Sequence, residues 1–172
     1  MNKIRRIVTG HTSAGKAIIV SDETVEGFSI ATGKNFIPLW GTDKLPVHPD
    51  KGALETGLDW FPKPGGHRFF VWVVPPKSQQ VIEQKSKREI EELLPGFQQH
   101  FEPENPGMHT SNSVDCTYLI SGSITLELDD ELKVEMNAGD SIVQNGTRHR
   151  WHNYGEIPAV FISTSIGSQR TT

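Results

Sequence analysis

Two histidines and one aspartate in the second half of the chain have the types and the spacing of a metal-binding or proton-transfer group. His109 follows a Pro-Gly turn, Asp115 comes six residues after it, and His149 lies 40 residues after His109. Two neutral imidazoles and one carboxylate on one side of a metal form a facial triad, which suits non-haem iron and leaves positions open for substrate, water or dioxygen. His109, Asp115 and His149 are therefore the candidate catalytic residues and the candidate ligands of one divalent metal ion.

Short alternating strands are the elements that must hold these side chains. Side chains in a strand point to opposite faces with a period of two, so His109, Ser111 and Asp115 share one face if residues 108–120 are extended. Apolar and polar residues also alternate between residues 124 and 136. Turn residues interrupt the pattern at Ser121-Gly122, Asp129-Asp130, Asn137 to Asp140 and Gly146-Thr147. This spacing is typical of an antiparallel sandwich or barrel.

The stretch from Pro106 to Asn153 resembles the paired motifs of the cupin superfamily. The first cupin motif carries two histidines one residue apart, then a glutamate and a glycine, and the matching residues are His109, Ser111, Asp115 and Gly122. The second motif carries Gly-Asp, a turn, a histidine and an asparagine, and the matching residues are Gly139, Asp140, Gly146, His149 and Asn153. Two positions depart from the pattern, because Ser111 replaces the second histidine and Asp115 replaces the glutamate.

The resemblance implies an all-β fold, a cupin-type jelly-roll or double-stranded β-helix barrel. It also implies that the two motifs lie side by side, which would bring His149 next to His109 and Asp115. Ser111, at the position of the missing histidine, could hold a metal-bound water or a substrate oxygen and is a candidate for substrate binding. Because one fold hosts many unrelated reactions, the resemblance predicts the fold far better than the reaction.

Residues next to His149 supply further candidates for substrate contact. Trp151 is in phase with His149 and would suit a flat or aromatic substrate, although a tryptophan in a β-barrel also packs as plain core. Arg148 and Arg150 could bind a substrate carboxylate bidentately, but strand phase directs both of them outward. The same phase directs His152 away from the pocket. Trp151 is therefore the second predicted substrate-binding residue.

The pattern along the whole chain predicts one cupin domain, residues 1–172, with an insertion. Residues 1–78 hold N-terminal strands and one long loop, residues 79–96 a helical insertion, and residues 106–166 the barrel core. An apolar stripe predicts a helix over residues 80–94 that packs on the outside of a sheet, and its members are Ile82, Ser86, Ile90, Leu93 and Leu94.

Two apolar runs in the first half of the chain read as strands of different kinds. Residues 67–74 are almost continuously apolar, which predicts a strand buried on both faces. Residues 36–40 contain Pro38, which cannot donate to a hydrogen-bond ladder and therefore predicts an edge strand.

Composition argues against several classes of function. The chain has 172 residues, 35% apolar residues and a net charge of −4, which suffices for one cored domain. It carries no basic stripe for nucleic acid and no apolar window that approaches the length of a membrane span, so we expect a cytoplasmic protein. The single cysteine, Cys116, is out of phase with Asp115, and we expect a buried structural thiol outside the metal-facing side.

A homodimer is the expected assembly. Small barrels leave sheet edges open, and residues 4–8 and 36–40 are spare apolar material that could cover such an edge in a second copy. Sedimentation at micromolar concentration tests this expectation.

Three functions stay open at the level of the sequence. The first is a metal-dependent enzyme, with one Fe, Zn, Ni or Mn ion, that oxygenates, decarboxylates or isomerises a small organic acid or aromatic-type metabolite. The second is a metal-free dehydratase or isomerase in which His149 and Asp115 move protons. The third is a non-catalytic barrel that binds a small ligand. Metal content separates the first from the others, and ligand binding without turnover separates the third.

Overall fold

Strands dominate the protein in a computed structural model that describes residues 2–79 and 85–171. The strands are β1 (Lys3–His11), β2 (Ala17–Glu26), β3 (Phe28–Ala31), β4 (Lys34–Thr42), β5 (His67–Val74), β6 (Ser113–Ser121), β7 (Ser123–Glu127), β8 (Lys133–Asn137), β9 (Ser141–Asn145), β10 (Arg150–His152) and β11 (Ala159–Gly167). One α-helix, α1 (Lys87–Leu93), lies within the described part of the chain, with short 3-10 helices at Lys77–Gln79, Gln98–His100 and Asp129–Glu131. The predicted all-β fold with one additional helix is confirmed.

Two sheets face each other across an apolar core. The larger sheet has the order β3-β4-β5-β11-β6-β9, and the smaller has the order β10-β7-β8. Leu119 and Phe161 of the larger sheet pack in one buried cluster with Ile124 and Met136 of the smaller. Because the neighbouring strands pair antiparallel, the inward residues of β6 and β11 stand in register, with Ser165 opposite Asp115. This arrangement is the predicted jelly-roll barrel.

An N-terminal hairpin covers the outer face of the larger sheet. β1 and β2 pair antiparallel, as the sequence predicts, and Ile4 and Val25 pack on the buried cluster that contains Ile37, Val71 and Val73. The even-numbered residues of β5, Phe70 to Val74, face the opposite side, toward the smaller sheet. β5 is therefore buried on both faces, and that prediction is confirmed.

The prediction of an edge strand around Pro38 is confirmed only locally. β4 lies inside the larger sheet, between β3 and β5. Its pairing with β3 ends at Phe36, two residues before Pro38, and the register with β5 shifts after Pro38. The missing N–H is therefore tolerated within an interior strand, because no neighbour requires it at that position. The homodimer stays a prediction.

The helix is shorter than predicted and packs on the other side of the sheet. Ser86 is its N-cap rather than a member of the stripe, and it forms a capping box with Glu89. Ile90 and Leu94 are buried against Phe36, whose side chain faces the inside of the barrel. The part of the prediction that falls on residues 80–84 lies outside the described residues. No helix in residues 2–79 and 85–171 is long and apolar enough to span a membrane.

One cysteine and two apolar side chains are more exposed than the alternation of the sequence predicted. Cys116 points outward from β6, as its phase predicts, but it is exposed rather than buried. Leu132, directly before β8, and Val134, within β8, are exposed, whereas Met136 in the same phase is buried. β8 is an edge strand of a three-stranded sheet, so only its end near the core is covered.

Asn153 ties the second motif to the barrel core. Its carboxamide nitrogen donates to the carbonyl oxygens of Val74 and Ile157, both at 2.9 Å. Its side-chain oxygen accepts from the backbone N–H of Gly155 at 2.9 Å. Asn153 is fully buried, so water does not replace these bonds when the amide is removed.

We expect Asn153→Ala to lower the free energy of unfolding by about 2–4 kcal/mol, because it leaves buried backbone groups without partners. Urea denaturation followed by circular dichroism measures the change. The matched control is Asn145→Ala, at an exposed position in β9, where a change of about 0.5 kcal/mol or less is expected. Equal losses in the two variants would contradict the structural role of Asn153.

Candidate functional site

A cavity of about 620 Å³ opens between the inner face of the larger sheet and β10. Its volume falls in the range of about 300–1,000 Å³ that is typical of small-molecule sites. Eight phenylalanine and tryptophan rings line it: Phe36, Trp60, Phe61, Phe70, Trp72, Phe97, Phe101 and Trp151. Polar side chains of β6 and β11 form one side, with Thr117 2.9 Å from Ser163 and Trp72 donating to Ser163 at 2.8 Å. The cavity is thus apolar with a few placed polar groups.

His109 and His149 stand side by side in this cavity. Each donates its backbone N–H to the carbonyl oxygen of the other at 2.9 Å, in an isolated antiparallel bridge. Their ring centroids are 4.2 Å apart. Gly146 before His149 has a φ of 58°, and a Cβ there would lie 2.9 Å from the carbonyl oxygen of Ser111, so only glycine permits this approach.

Backbone carbonyls fix the tautomer of both imidazoles. Nδ1 of His109 lies 3.1 Å from the carbonyl oxygen of Gly107, and Nδ1 of His149 lies 2.8 Å from that of Thr147. Since a carbonyl only accepts, each Nδ1 must carry the hydrogen, and in the neutral ring Nε2 then holds a free lone pair. No described residue forms a hydrogen bond with either Nε2 atom.

Burial keeps both rings neutral. It lowers the pKa of His109 to about 3, and the positive charge that His149 would carry lowers it further, while the bond to Gly107 opposes the change. Burial also lowers the pKa of His149, although the bond to Thr147 and the charge of Asp115 act in the opposite direction. Of the two histidines, His149 therefore has the environment more favourable to accepting a proton.

Asp115 lines the same cavity from β6. Burial raises the pKa of its carboxyl group, and the neighbouring hydroxyls of Ser165 and Ser113 only partly offset this. Its Oδ1 atom is buried and has no hydrogen-bond partner among the described residues. An unsatisfied buried carboxylate oxygen costs free energy, so it marks a position where a ligand group or a water would bind.

The site offers two of the three predicted metal ligands in one place. Metal-ligating histidines commonly donate one ring N–H to a carbonyl and leave the other nitrogen free, as His109 and His149 do. Among residues 2–79 and 85–171, however, no three His, Cys, Asp or Glu side chains are grouped so that they could hold one ion. The geometry fits the two imidazoles but not a three-ligand centre with Asp115, and the divalent metal stays a prediction.

The two predicted substrate-binding residues have different positions. Trp151 lines the cavity and meets the rings of His149 and Trp72 edge to face, at centroid distances of 5.7 and 5.8 Å. Ser111 is fully buried, its hydroxyl accepts from Ser113 at 2.9 Å, and it does not line the cavity. The face shared by His109, Ser111 and Asp115 is not formed, because regular strand begins only at Ser113 and the chain bends before it.

Arg150 and His152 do not point away from the cavity, although their strand phase predicted this. All three residues of β10 line the cavity, so Arg150 and His152 do not point away from it. β10 is an edge strand of only three residues, and side chains from both of its faces reach the cavity rim. Arg150 and His152 are held there by the buried carboxylate of Glu127, at 2.5 and 2.8 Å.

Arg148 turns outward as its phase predicts. It forms ion pairs with Glu102 at 2.5 Å and Asp129 at 2.9 Å. It does not line the cavity, and it is therefore not placed to bind a substrate carboxylate.

Lys34 is a cavity residue that the sequence reasoning missed. It opens β4 directly after the turn at Thr32-Gly33, and it lines the cavity together with Phe36. A lysine two residues before a phenylalanine in a strand shares that residue's face, and this spacing was the available signal. Burial lowers the pKa of its ammonium group.

Sequence comparison places the site within a known family. Residues 97–165 match the sequence profile of the family described as Cupin domain, and this segment contains His109, Asp115 and His149. This segment of the chain belongs to the cupin superfamily. The Pro106 to Asn153 resemblance is therefore confirmed, and the barrel is a cupin double-stranded β-helix. No curated protein matches the chain in sequence.

Solved structures similar to this cupin are distant in sequence. A cupin domain from Schizosaccharomyces pombe is 10% identical, over 98% of this chain and 89% of that chain, with a TM-score of 0.49. An uncharacterized conserved protein with a double-stranded β-helix domain from Klebsiella pneumoniae is 18% identical, over 61% and 70%, with a TM-score of 0.39. An RmlC-like cupin family protein from Methanocaldococcus jannaschii is 14% identical, over 67% and 87%, with a TM-score of 0.40.

The low pKa of His109 makes the stability of the metal-free protein depend on pH. Between the folded pKa of about 3 and the ordinary value of 6.5, the unfolded chain binds a proton that the folded protein excludes. Stability therefore falls as pH decreases below 6.5, by up to about 1.4 kcal/mol per pH unit for this one proton. Asp115 acts in the opposite direction, because its pKa is raised in the fold.

We expect His109→Gln to lose less stability than the wild type when the pH is lowered from 7.5 to 5, by about 2 kcal/mol. Urea denaturation in the presence of a chelator measures both proteins over this range. The stability difference between the two proteins at pH 7.5 serves as the internal control for packing changes. A difference that stays constant with pH would show that His109 is not held neutral by the fold.

Proposed function

We propose that this cupin is a small-molecule enzyme that transfers protons on a planar organic substrate, as a dehydratase or isomerase does. The observation that carries the proposal is the pair of neutral imidazoles, His109 and His149, with free Nε2 atoms inside an aromatic-walled cavity. Proton transfer needs a base within reach of the substrate and protection from bulk water. The two imidazoles supply such a base, and the aromatic rings around them favour the second requirement.

His149 is the proposed general base. Its Nε2 takes a proton from a carbon next to a substrate carbonyl, and the C–H electrons move into the conjugated system. Asp115 lies close enough for its negative charge to raise the pKa of His149, so it stabilises the imidazolium that forms. The proton then returns to another carbon in an isomerisation. In a dehydration it joins the departing hydroxide, which leaves as water.

His109 has a supporting part. Its pKa of about 3 makes it a weak base at neutral pH. Its ring stacks on Phe101, with centroids 4.6 Å apart and an interplanar angle of 20°, so its orientation is restricted. With the ring held and Nδ1 already bonded, Nε2 of His109 is positioned to accept a hydrogen bond from a substrate hydroxyl.

Exchange of carbon-bound protons with solvent tests the proposal without knowledge of the natural substrate. 1-Tetralone is a flat bicyclic ketone with acidic protons at C2, and their replacement by deuterium in D2O is followed by NMR. We expect the chelator-treated wild type to accelerate exchange and His149→Gln to lose about 100-fold or more of that acceleration.

The control for this experiment is His48→Gln, an exposed histidine in the loop after β4, which should exchange at the wild-type rate. Exchange no faster than in buffer, or an undiminished rate in His149→Gln, would contradict the proposed function. Binding of the ketone without exchange would favour the non-catalytic ligand-binding barrel.

Metal-dependent catalysis is the second candidate. The free Nε2 atoms of His109 and His149 and the unbonded Oδ1 of Asp115 favour it, and the lack of a three-residue ligand group in the described chain speaks against it. If a metal binds, His109 and His149 would hold it and it would supply Lewis-acid or redox chemistry.

Elemental analysis decides between the two candidates. The protein is purified without chelator and then reconstituted anaerobically with ferrous iron, zinc, nickel or manganese in turn. A metal centre requires about one ion per chain in the wild type, little in His109→Ala/His149→Ala, and full retention in Ser111→Ala. Wild type that binds no more metal than the double variant would remove the metalloenzyme reading.

A further inference from the structure

Lys34 places a positive charge at the cavity wall. Its side chain lines the cavity next to Phe36, on the first residue of β4. Within residues 2–79 and 85–171, no carboxylate forms an ion pair with its ammonium group and no acceptor forms a hydrogen bond with it. Burial lowers the pKa of Lys34.

The other cations of the cavity are already engaged. Arg150 pairs with Glu127 at 2.5 Å, and the ammonium group of Lys77 lies over the ring of Tyr154, 5.4 Å from its centroid. Asp115 is the one acidic residue among the described residues of the cavity wall. The wall is therefore positive although the whole chain has a net charge of −4, and Lys34 is the cation left for a ligand.

Lys34 is only partly exposed, and an ammonium group in such a position is stabilised when a ligand supplies the opposite charge. We propose that Lys34 binds an anionic group, a carboxylate, of the planar ligand and thereby sets its specificity. This inference rests on the proposed function, because it places the ligand in the same cavity. The carboxylate lies at Lys34, the rings of Phe36 and Trp72 contact the planar part, and the opposite end reaches His109 and His149.

Calorimetric titration with two matched probes tests the inference. 2-Naphthoate and 2-naphthamide share one ring system and nearly one shape, and only the first carries a negative charge. We expect the chelator-treated wild type to bind 2-naphthoate at least about 10-fold more tightly than 2-naphthamide. In Lys34→Met the ratio should fall to about 1, with the affinity for the amide changed by less than about 2-fold.

Two further variants control for the loss of charge and for the general electrostatic field. Lys34→Arg keeps the charge and should keep a preference for 2-naphthoate. Lys16→Met removes an exposed lysine in the β1–β2 turn, which does not line the cavity, and should leave the ratio at its wild-type value. An unchanged ratio in Lys34→Met, or a ratio lost equally in Lys16→Met, would overturn the role of Lys34.

The unliganded protein gives an independent readout. Because Lys34 forms no ion pair with a described residue, Lys34→Met should raise the thermal unfolding midpoint by about 2–4 °C, whereas loss of a real ion pair would lower it. A lowered midpoint would therefore also overturn the inference. Wild type that binds both probes equally overturns this inference alone, and wild type that binds neither probe overturns the proposed function with it.

Discussion

The reciprocal backbone bridge between His109 and His149 is the contact on which the site depends. Two N–H to carbonyl bonds of 2.9 Å join the start of one motif to the end of the other, outside any regular strand. In a directly paired position of an antiparallel ladder, the two Cα atoms are held about 5.5 Å apart and the side chains leave on the same face. The 4.2 Å separation of the two rings is a consequence of this pairing.

The helical insertion is connected to His109 through aromatic side chains. Phe101 forms its own antiparallel bridge to His109 on the opposite side and stacks on its ring. Phe97 joins Phe101 to the cluster built by Ile90 and Leu94 at the end of α1. The insertion therefore anchors an aromatic wall against the histidine pair, and this wall supplies the burial that lowers the pKa values of the histidines.

Local patterning predicted the fold because most of the chain obeys it. A continuous apolar run located β5, alternation located β7 and β8, and the cupin resemblance placed His109 and His149 in adjacent segments. Phase reasoning failed where regular strand was absent. Ser111 lies in the bend before β6, and Arg150 and His152 lie on a three-residue edge strand whose two faces are not separated.

Long-range packing explains what local patterning did not reveal. Lys34 lies 75 residues before His109, in the N-terminal half of the chain, and only the order β3-β4-β5-β11-β6-β9 carries it to the same cavity. A lysine in a strand reads from sequence as a solvated residue at an edge. The register that opposes Phe36 and Trp72, and so directs Lys34 inward, depends on strand pairing that no short window contains.

Two buried charged residues elsewhere in the barrel have local partners, in contrast to two charged residues of the cavity. Arg68 is buried, and it is satisfied by Asp43 at 2.7 Å and by carbonyl oxygens at 2.9 Å. Glu127 is buried as well, and Arg150, His152 and Lys133 surround it. Among the described residues, no such partner is found for the ammonium group of Lys34 or for Oδ1 of Asp115, and both residues line the cavity. A positive and a negative group that line one cavity and lack partners among the described residues favour a polar ligand as the partner of both.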